Sequence, residues 1–317
     1  MVTGMKIAIL DDYQNVALDY GDWDSLNADV QVFTEPFADA DEVVARLAGF
    51  EAVVAMRERT RFPAAVLDRL PDLKLLVSTG TRNAAIDVPA ARRNGVVVCA
   101  TGYSGLSTAE HTWALILAAA RNLPAEFRSM REGGWQRTVG ITLHGRTLGL
   151  LGLGRLGAGA ARIGQAFGME TIAWSQNLTP EKAAEHGVTA VSKEELFARA
   201  DVLSVHLVLG DRSRGLVGAA ELAAMKPTAL LVNTSRGPIV DEAALVDALR
   251  RKEIAGAALD VYDVEPLPSG HPLRTLDNAV LTPHLGYVAH EVYQVFYRDA
   301  VEDIAAYQAG KPIRVME

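Results

Sequence analysis

Three polar residues in the second half of the sequence could act together on a small substrate. Each follows an apolar run: Arg236 follows Leu230–Thr234, Glu265 comes a few residues after Gly256–Asp260, and His284 follows Val280–Thr282. A histidine can take a hydroxyl proton, an acid partner can fix that histidine in one tautomer, and a guanidinium can bind a carboxylate and a carbonyl oxygen. Hydride transfer at a carbinol carbon needs such a set.

Each of the three also has an ordinary structural explanation. An Arg after a strand usually solvates a loop, a Glu before Pro266 is usually exposed, and a His after Pro283 is more often a structural histidine. Whether the three residues act together therefore depends on the strands and helices that position them. If the apolar runs are parallel strands of a doubly wound sheet, their carboxyl ends line one crevice and the three side chains can meet there.

A glycine-rich turn supplies the strongest local pattern. The apolar run 147–151 leads into Gly152, Gly154 and Gly157 in the spacing Gly-x-Gly-x-x-Gly, and an Ala-rich helix follows. Gly152 permits a tight turn, Gly154 lets the backbone approach a pyrophosphate, and Gly157 lets the helix lie close to the strand. The helix N-terminus offers free N–H groups to the phosphates. The combination of strand, turn and helix predicts dinucleotide binding.

The residues after the next strand bear on which dinucleotide is bound. An acid usually binds the adenosine ribose there, but this chain has Ser175 and Gln176. An acid there would repel the 2′-phosphate of NADP, so its absence removes that repulsion. However, no Arg stands beside Ser175 to bind the phosphate. We expect NAD, and NADP stays open.

Short apolar runs alternate with helix-like stretches along the chain, which predicts an α/β fold with parallel sheets covered by helices. The predicted strands are 6–10, 30–33, 52–55, 73–78 and 96–99 in a first unit, and 147–151, 171–174, 202–206, 229–233, 256–259 and 279–281 in a second. Between the units, Ser107-Thr108-Ala109-Glu110 predicts the start of a connecting helix, with a hydroxyl near the N-cap. Residues 291–309 predict a last helix, and the apolar run 313–316 follows it.

The composition of the chain excludes several classes of protein and of site. The 317 residues suffice for two domains, and 49% of them are hydrophobic. A net charge of −8 argues against a general nucleic-acid or anionic-membrane binder, and it is concentrated in residues 1–51, which hold eleven acidic and two basic side chains. Cys99 is the single cysteine, so disulfides and Cys-based zinc sites within the chain are excluded, and we expect no metal. Its apolar setting predicts a buried residue, and a reducing compartment, the cytoplasm, fits best.

Longer motifs resemble those of a known family. Residues 225–241 (MKPTALLVNTSRGPIVD), 257–266 (AALDVYDVEP) and 281–286 (LTPHLG) are similar to segments of the D-isomer-specific 2-hydroxyacid dehydrogenases. Together with the glycine loop they extend the resemblance over nearly the whole chain. Arg236, Glu265 and His284 lie inside these motifs.

The resemblance implies roles for matching residues. It makes His284 the general acid/base, Glu265 its partner, and Arg236 the ligand of the substrate carboxylate and carbonyl. Other substrate contacts would come from Arg57 and from the backbone at Gly80 and Thr81. The cofactor would be bound by Gly152, Gly154, Arg155, Leu156, Gly157, Ser175, Gln176, His206, Leu207, Thr234, Asp260 and Gly286.

The resemblance also implies the domain layout. A nucleotide-binding Rossmann domain, residues 104–286, is inserted into a flavodoxin-like substrate domain formed by residues 1–103 and 287–317. Family members are generally homodimers, and residues 121–146, including Trp135, would contribute to the interface; from sequence alone Trp135 is equally a core aromatic. The chain departs from the family at Ser104, where many relatives have Asn, and at Val208-Leu209-Gly210, where Pro-Leu-Thr is usual.

The expected function is hydride transfer between NAD(P)H and a small anionic 2-keto or D-2-hydroxy acid, as in glyoxylate or hydroxypyruvate reductases. Two alternatives stay open: a corepressor-like protein that senses nucleotide, and an enzyme similar to formate dehydrogenase. In the latter the partner of the histidine is Gln, so Glu265 is the discriminating residue. No membrane or nucleic-acid partner is expected.

Overall fold

The computed structural model describes residues 4–103 and 105–317. The chain forms two compact units, one made of Met1–Ser104 with Ala289–Glu317 and the other of Gly105–Val288. The domain boundaries predicted from the sequence follow residues 103 and 286. Ser104, at which the chain departs from the family pattern, lies outside the described residues.

The first unit is built on a five-stranded parallel sheet in the order β2-β1-β3-β4-β5. Its strands are β1 (Lys6–Ile9), β2 (Asp29–Val32), β3 (Ala52–Ala55), β4 (Leu75–Ser78) and β5 (Val97–Ala100). This order is that of flavodoxin-like sheets. Its helices are α1 (Ala17–Tyr20), α2 (Ala40–Leu47), α3 (Ala64–Leu67), α4 (Val88–Arg93) and, from the end of the chain, α12 (His290–Gln308). The strands β3 and β4 are buried along their whole length, as their continuous apolar sequences require.

The last residues of the chain lie along β5. Cys99 and Val315 form an antiparallel bridge, and the backbone N–H of Met316 donates to the carbonyl of Val98 at 2.8 Å. The Cys99 side chain is fully buried, and burial raises the pKa of its thiol to about 12. This confirms the prediction that Cys99 is a buried residue.

The second unit contains a seven-stranded parallel sheet in the order β12-β11-β10-β9-β6-β7-β8. The strands are β6 (Thr147–Leu151), β7 (Glu170–Trp174), β8 (Thr189–Ala190), β9 (Val202–Val205), β10 (Leu230–Asn233), β11 (Gly256–Leu259) and β12 (Ala279–Leu281). Counted from β6, this is the Rossmann order, and the order reverses between β6 and β9. The α/β, Rossmann-like fold predicted from the sequence is confirmed.

Helices cover both faces of this second sheet. They are α5 (Leu106–Ala120), α6 (Leu123–Arg131), α7 (Arg155–Ala166), α8 (Pro180–Ala184), α9 (Lys193–Arg199), α10 (Ala219–Ala224) and α11 (Glu242–Arg251). One face is packed around Trp113 and Ile116 of α5, and the other around Phe197 and Leu222.

The start of α5 differs from the prediction. The helix begins at Leu106, and Gly105 occupies the N-cap without any side-chain cap, so Ser107 and Thr108 lie inside the first turn. The predicted hydroxyl cap is therefore wrong. Thr108 is used differently: its hydroxyl donates to the carbonyl of Gly286 at 2.9 Å.

Candidate active site

The glycine turn lies where the strand order of the second sheet reverses. Gly152 has φ +105°, and a Cβ there would meet the His206 carbonyl at 3.0 Å. A Cβ on Gly157 would lie 2.2 Å from the carbonyl oxygen of Gly152, so only glycine allows the first turn of α7 to approach the end of β6 this closely. Around Gly154, the N-cap of α7, the space is open. This cradle fits a pyrophosphate at a helix N-terminus.

The other predicted cofactor residues surround this turn or follow the neighbouring strand. Arg155 and Leu156 form the first turn of α7, and Ser175 and Gln176 follow β7. His206 comes directly after β9, where Ser204 Oγ lies 2.9 Å from its Nε2 atom. Burial lowers the pKa of His206 to about 4, so this imidazole is neutral at pH 7.

His206 and Leu207 are both partly buried. Ser235, after β10, donates through its hydroxyl to the Leu207 carbonyl at 2.5 Å. The loops after β9 and β10 are therefore joined by a hydrogen bond.

Arg236 lies in the turn after β10, and its backbone is tightly fixed. The side chain of Asn233 donates to the Arg236 carbonyl at 3.0 Å and accepts from the Ser235 N–H at 3.0 Å. A Cβ on the next residue, Gly237, would fall 2.1 Å from the carbonyl carbon of Tyr262. The guanidinium is partly buried and donates to the Ser235 carbonyl at 2.7 Å.

The structure brings Glu265 and His284 together. Glu265 Oε2 lies 2.5 Å from His284 Nδ1, and Glu265 Oε1 accepts the backbone N–H of Tyr262 at 3.0 Å. His284 has φ +55°, a left-handed conformation that is uncommon for a non-glycine residue. Its ring also contacts Tyr287 edge-on, at 5.4 Å between centroids. The imidazole is therefore held by a carboxylate on one ring nitrogen, while the side chain keeps 20% of its surface exposed.

Asp260, which follows β11, is fully buried and receives four hydrogen bonds. Its donors are Thr282 Oγ1 at 2.6 Å, the Leu285 N–H at 2.7 Å, the Gly286 N–H at 2.8 Å and His111 Nε2 at 3.1 Å. Burial alone would raise the pKa of Asp260, but the bonds from His111 and Thr282 outweigh it and hold the pKa below its usual range. Asp260 is thus an ionised group that fixes the turn carrying His284.

His111 is a site residue that was not predicted. It lies on α5, one turn after Thr108 and next to Thr112, and these three residues share one helix face at spacings of three and four. Thr112 Oγ1 is 2.7 Å from Thr234 Oγ1 and donates to the Thr108 carbonyl, so Thr234 is the donor between the two hydroxyls. A polar stripe on an otherwise apolar helix was the available signal.

The predicted substrate residues of the first unit form one loop cluster. Arg57, after β3, has φ +51°, and its NH1 group donates to the Thr79 carbonyl at 3.2 Å. Gly80, after β4, has φ +86°, and a Cβ there would collide with the Arg57 guanidinium at 1.8 Å. The Gly80 N–H donates to Thr101 Oγ1 at 2.7 Å, so a carboxylate arriving at this N–H would compete with that hydroxyl. Thr81 is exposed.

Several large apolar side chains on and after α6 face solvent in this single chain. They are Phe127, Met130, Trp135 and Val139, which are 59%, 56%, 69% and 94% exposed. The interpretation of Trp135 as a core aromatic is therefore wrong.

Within residues 4–103 and 105–317, no helix combines the length and apolar character needed to cross a membrane. The same residues contain no group of three or more His, Cys, Asp or Glu side chains arranged to hold a metal ion.

The Rossmann order and the glycine cradle define the second unit as a dinucleotide-binding domain. Comparison with known families agrees: the D-isomer specific 2-hydroxyacid dehydrogenase, NAD binding domain, matches residues 113–286. The chain belongs to the D-isomer specific 2-hydroxyacid dehydrogenase family, and its second unit is the NAD-binding domain of that family.

Individual relatives extend the similarity beyond this domain. The chain is 36% identical over 313 residues to a D-3-phosphoglycerate dehydrogenase of Archaeoglobus fulgidus, covering 98% of this chain and 58% of the relative. It is 42% identical over 261 residues to a glyoxylate reductase of Aeropyrum pernix, covering 79% and 78%. A crystal structure of a phosphoglycerate oxidoreductase from Vibrio cholerae O395 is similar with a TM-score of 0.92 and 43% identity, covering 96% of this chain and 99% of that one. The chain thus spans little more than half the length of the Archaeoglobus relative.

Proposed function

We propose that the protein catalyses reversible reduction of a small 2-keto acid to the D-2-hydroxy acid with NAD(H). The observation that carries the proposal is the contact between Glu265 Oε2 and His284 Nδ1 at 2.5 Å. A carboxylate on one ring nitrogen leaves the other nitrogen to exchange a proton with substrate, which is how general acid/base histidines are arranged.

The proposed reaction balances with these residues. In reduction, C2 of the keto acid gains a hydride and the carbonyl oxygen gains a proton from His284 Nε2, which gives the hydroxyl group. NADH, when bound, would supply the hydride for reduction, and NAD⁺ would receive it in the reverse direction. Glu265 keeps the Nδ1 side hydrogen-bonded throughout, and because Glu265 is itself fixed by the Tyr262 N–H, the imidazole is held in one orientation.

Binding of the anionic substrate is assigned to arginines and to backbone. Arg236 would hold the carboxylate and the carbonyl oxygen, for which its planar fork of N–H donors is suited. The loop of Arg57, Gly80 and Thr81 would add further donors. The position of the Arg57 guanidinium supports this role. It lies against Gly80 and 5.2 Å from the centroid of the Tyr103 ring.

We propose NAD rather than NADP as the preferred cofactor. Ser175 and Gln176 can hydrogen-bond a ribose hydroxyl, whereas a 2′-phosphate needs a cation, and none of the residues 175–178 is one. The test is kcat/KM for NADH and NADPH with one substrate. A preference for NADPH would contradict the proposal.

We propose glyoxylate or hydroxypyruvate as the substrate type. The similar Aeropyrum protein is named a glyoxylate reductase, and the charge of the chain outside residues 1–51 is close to neutral, so that Arg57, Arg82 and Arg236 can receive a small anion. The deciding experiment is a panel of 2-keto acids, including glyoxylate, hydroxypyruvate and 3-phosphohydroxypyruvate, assayed with both reduced cofactors. Tight NADH binding without turnover of any keto acid would favour a nucleotide sensor, and formate oxidation would favour the other alternative.

A homodimer is proposed from the apolar surface of α6 and the residues after it. Exposed Phe127, Met130 and Trp135 fit a surface covered by a second copy. Light scattering of the wild type and of Trp135→Glu tests this: the variant should shift toward monomer. The single cysteine, buried as a free thiol, supports a reducing compartment such as the cytoplasm.

A further inference from the structure

Helix α5 braces the ends of three neighbouring strands through its polar stripe. Thr112 contacts Thr234 after β10, His111 contacts Asp260 after β11 and Thr282 after β12, and Thr108 binds the Gly286 carbonyl. The rest of this helix face is apolar and packs on β10, β11 and β12. Polar side chains at just these positions point to a function beyond packing.

The chemistry of the contacts fixes the proton on His111. Asp260 is ionised and can only accept, and the hydroxyl of Thr282 gives its hydrogen to Asp260. His111 Nε2 lies 3.1 Å from Asp260 Oδ1 and 3.0 Å from Thr282 Oγ1, so this nitrogen must carry a hydrogen that both oxygens share. The imidazole is 17% exposed and the carboxylate 1%, which makes the bond a largely desolvated one to an ionised group.

Asp260 also holds the backbone of the turn after β12. It accepts the backbone N–H groups of Leu285 and Gly286, the two residues that follow His284. His284 itself stays at φ +55°, a left-handed conformation that is unfavourable for a residue with a Cβ and persists only where the surroundings enforce it. The direction of the His284 ring therefore depends on how firmly Asp260 is held.

We propose that His111 is a positioning residue: by donating to Asp260 it fixes the Leu285–Gly286 backbone and thereby keeps His284 against Glu265. The inference rests on the proposed function only in so far as His284 is the acid/base. The contact chain from His111 to the His284 turn is a matter of geometry and does not depend on which substrate is used.

Two substitutions separate this role from packing. In His111→Gln the amide nitrogen can reach the place of Nε2, so the donor to Asp260 is kept. In His111→Asn the amide nitrogen matches Nδ1 instead, so polarity is similar but the donor is lost. His186→Asn, at an exposed position outside the stripe, is the matched control.

The experiment combines kinetics with long-range ¹H–¹⁵N spectra of the histidine rings in the full chain. The seven histidines can be assigned by single substitutions, and the His284 signal by its loss in His284→Gln. We expect His111→Asn to shift or broaden the His284 signal and to lower kcat about 10-fold, with KM and the Kd for NADH within about 2-fold. His111→Gln should restore the signal and bring kcat to within about 3-fold of wild type, and His186→Asn should match wild type.

A folded His111→Asn variant with an unchanged His284 signal and unchanged kcat would overturn the inference. So would a His111→Gln variant as impaired as His111→Asn. If His111→Asn does not fold, His111→Gln decides alone, since a wild-type His284 signal there supports the donor role and a lost one overturns it. If the wild type turns over no keto acid, the proposed function fails while the ring spectra still judge the positioning role.

Discussion

The turn that carries His284 in the second unit and the loop of Gly80 in the first unit are held by different kinds of hydrogen bond. In the second unit an ionised, fully buried carboxylate, Asp260, gathers four donors around the turn that carries His284. In the first unit, two contacts of the loops that carry Arg57 and Gly80 involve neutral groups: Thr101 accepts the Gly80 N–H, and the Asn83 side chain donates to the Arg57 carbonyl.

The difference predicts a rigid turn around His284 and a more adaptable loop around Arg57 and Gly80. Hydrogen bonds to a buried charge are about twice as strong as neutral ones, and removing one partner leaves a costly unpaired group. A loop held by neutral bonds can exchange them for bonds to a ligand at little cost. We therefore expect the second unit to govern the chemical step, kcat, and the first unit to govern substrate affinity, KM.

The largest effect should come from His284→Gln. Loss of the proposed acid/base should lower kcat about 1,000-fold, because general acid/base groups contribute roughly 100- to 10,000-fold. The Kd for NADH, measured by fluorescence, should stay within about 2-fold, since the glycine cradle lies on other strands. A variant with normal kcat and only a raised KM would break the division between the units.

Asp260→Asn should be the most destabilising conservative change near the site. The amide must turn a donor toward one of the backbone N–H groups of Leu285 and Gly286, so the free energy of unfolding should fall by about 3 kcal/mol. The matched change in the first unit, Thr101→Val, removes one neutral acceptor and should cost about 1 kcal/mol. Urea unfolding monitored by circular dichroism measures both; equal losses would contradict the contrast between charged and neutral anchoring.

The two units should also respond to pH in opposite directions. Burial raises the pKa of Asp303 in the first unit to about 6, even though Arg314 acts against it, whereas burial lowers the pKa of His206 in the second unit to about 4. The folded state retains the Asp303 proton between about pH 4 and 6, so the contribution of this group is fully present at low pH and is lost as pH rises. For His206 the unfolded chain takes up the proton first, so stability is lost as pH falls below its ordinary value of 6.5.

Asp303→Asn isolates the first of these effects. The free energy of unfolding of the variant relative to wild type should increase by about 2 kcal/mol between pH 4 and pH 6.5, because only wild type has to ionise the buried carboxyl. Urea unfolding at several pH values measures it, with exposed Asp72→Asn as the control. A difference between Asp303→Asn and wild type that does not depend on pH would contradict the assignment.

The smallest effect should follow from Gly80→Ala. A methyl group would displace the Arg57 guanidinium, and φ +86° is strained for alanine, so KM should rise about 10-fold. We expect kcat to fall less than 3-fold, since His284 and Glu265 are untouched. A similar rise in KM for Arg57→Lys would support the assignment of substrate binding to the first unit, and a loss confined to kcat would contradict it.

Much of the fold could be predicted because its signals are local. The strands 147–151, 256–259 and 279–281 have the predicted bounds, since continuous apolar runs between turn residues are typical of buried parallel strands. The helices α1, α4, α6 and α8 were not predicted. Nor was β8, which has two residues and exists only because it pairs with β7, an interaction that its own sequence does not encode.

The candidate site likewise has features that could be predicted from the sequence and features that could not. The glycine turn and the polar residues Arg236, Glu265 and His284 could be predicted from the sequence, because each depends on a short motif whose residue types are dictated by close approach or by proton chemistry. The contacts of Asp260 with the turn of His284 and with His111 could not be predicted, since residues 111, 260 and 285 are far apart in the chain. Their contact arises from the packing of α5 across three strand ends, and a buried charge there has to find its donors wherever the fold supplies them.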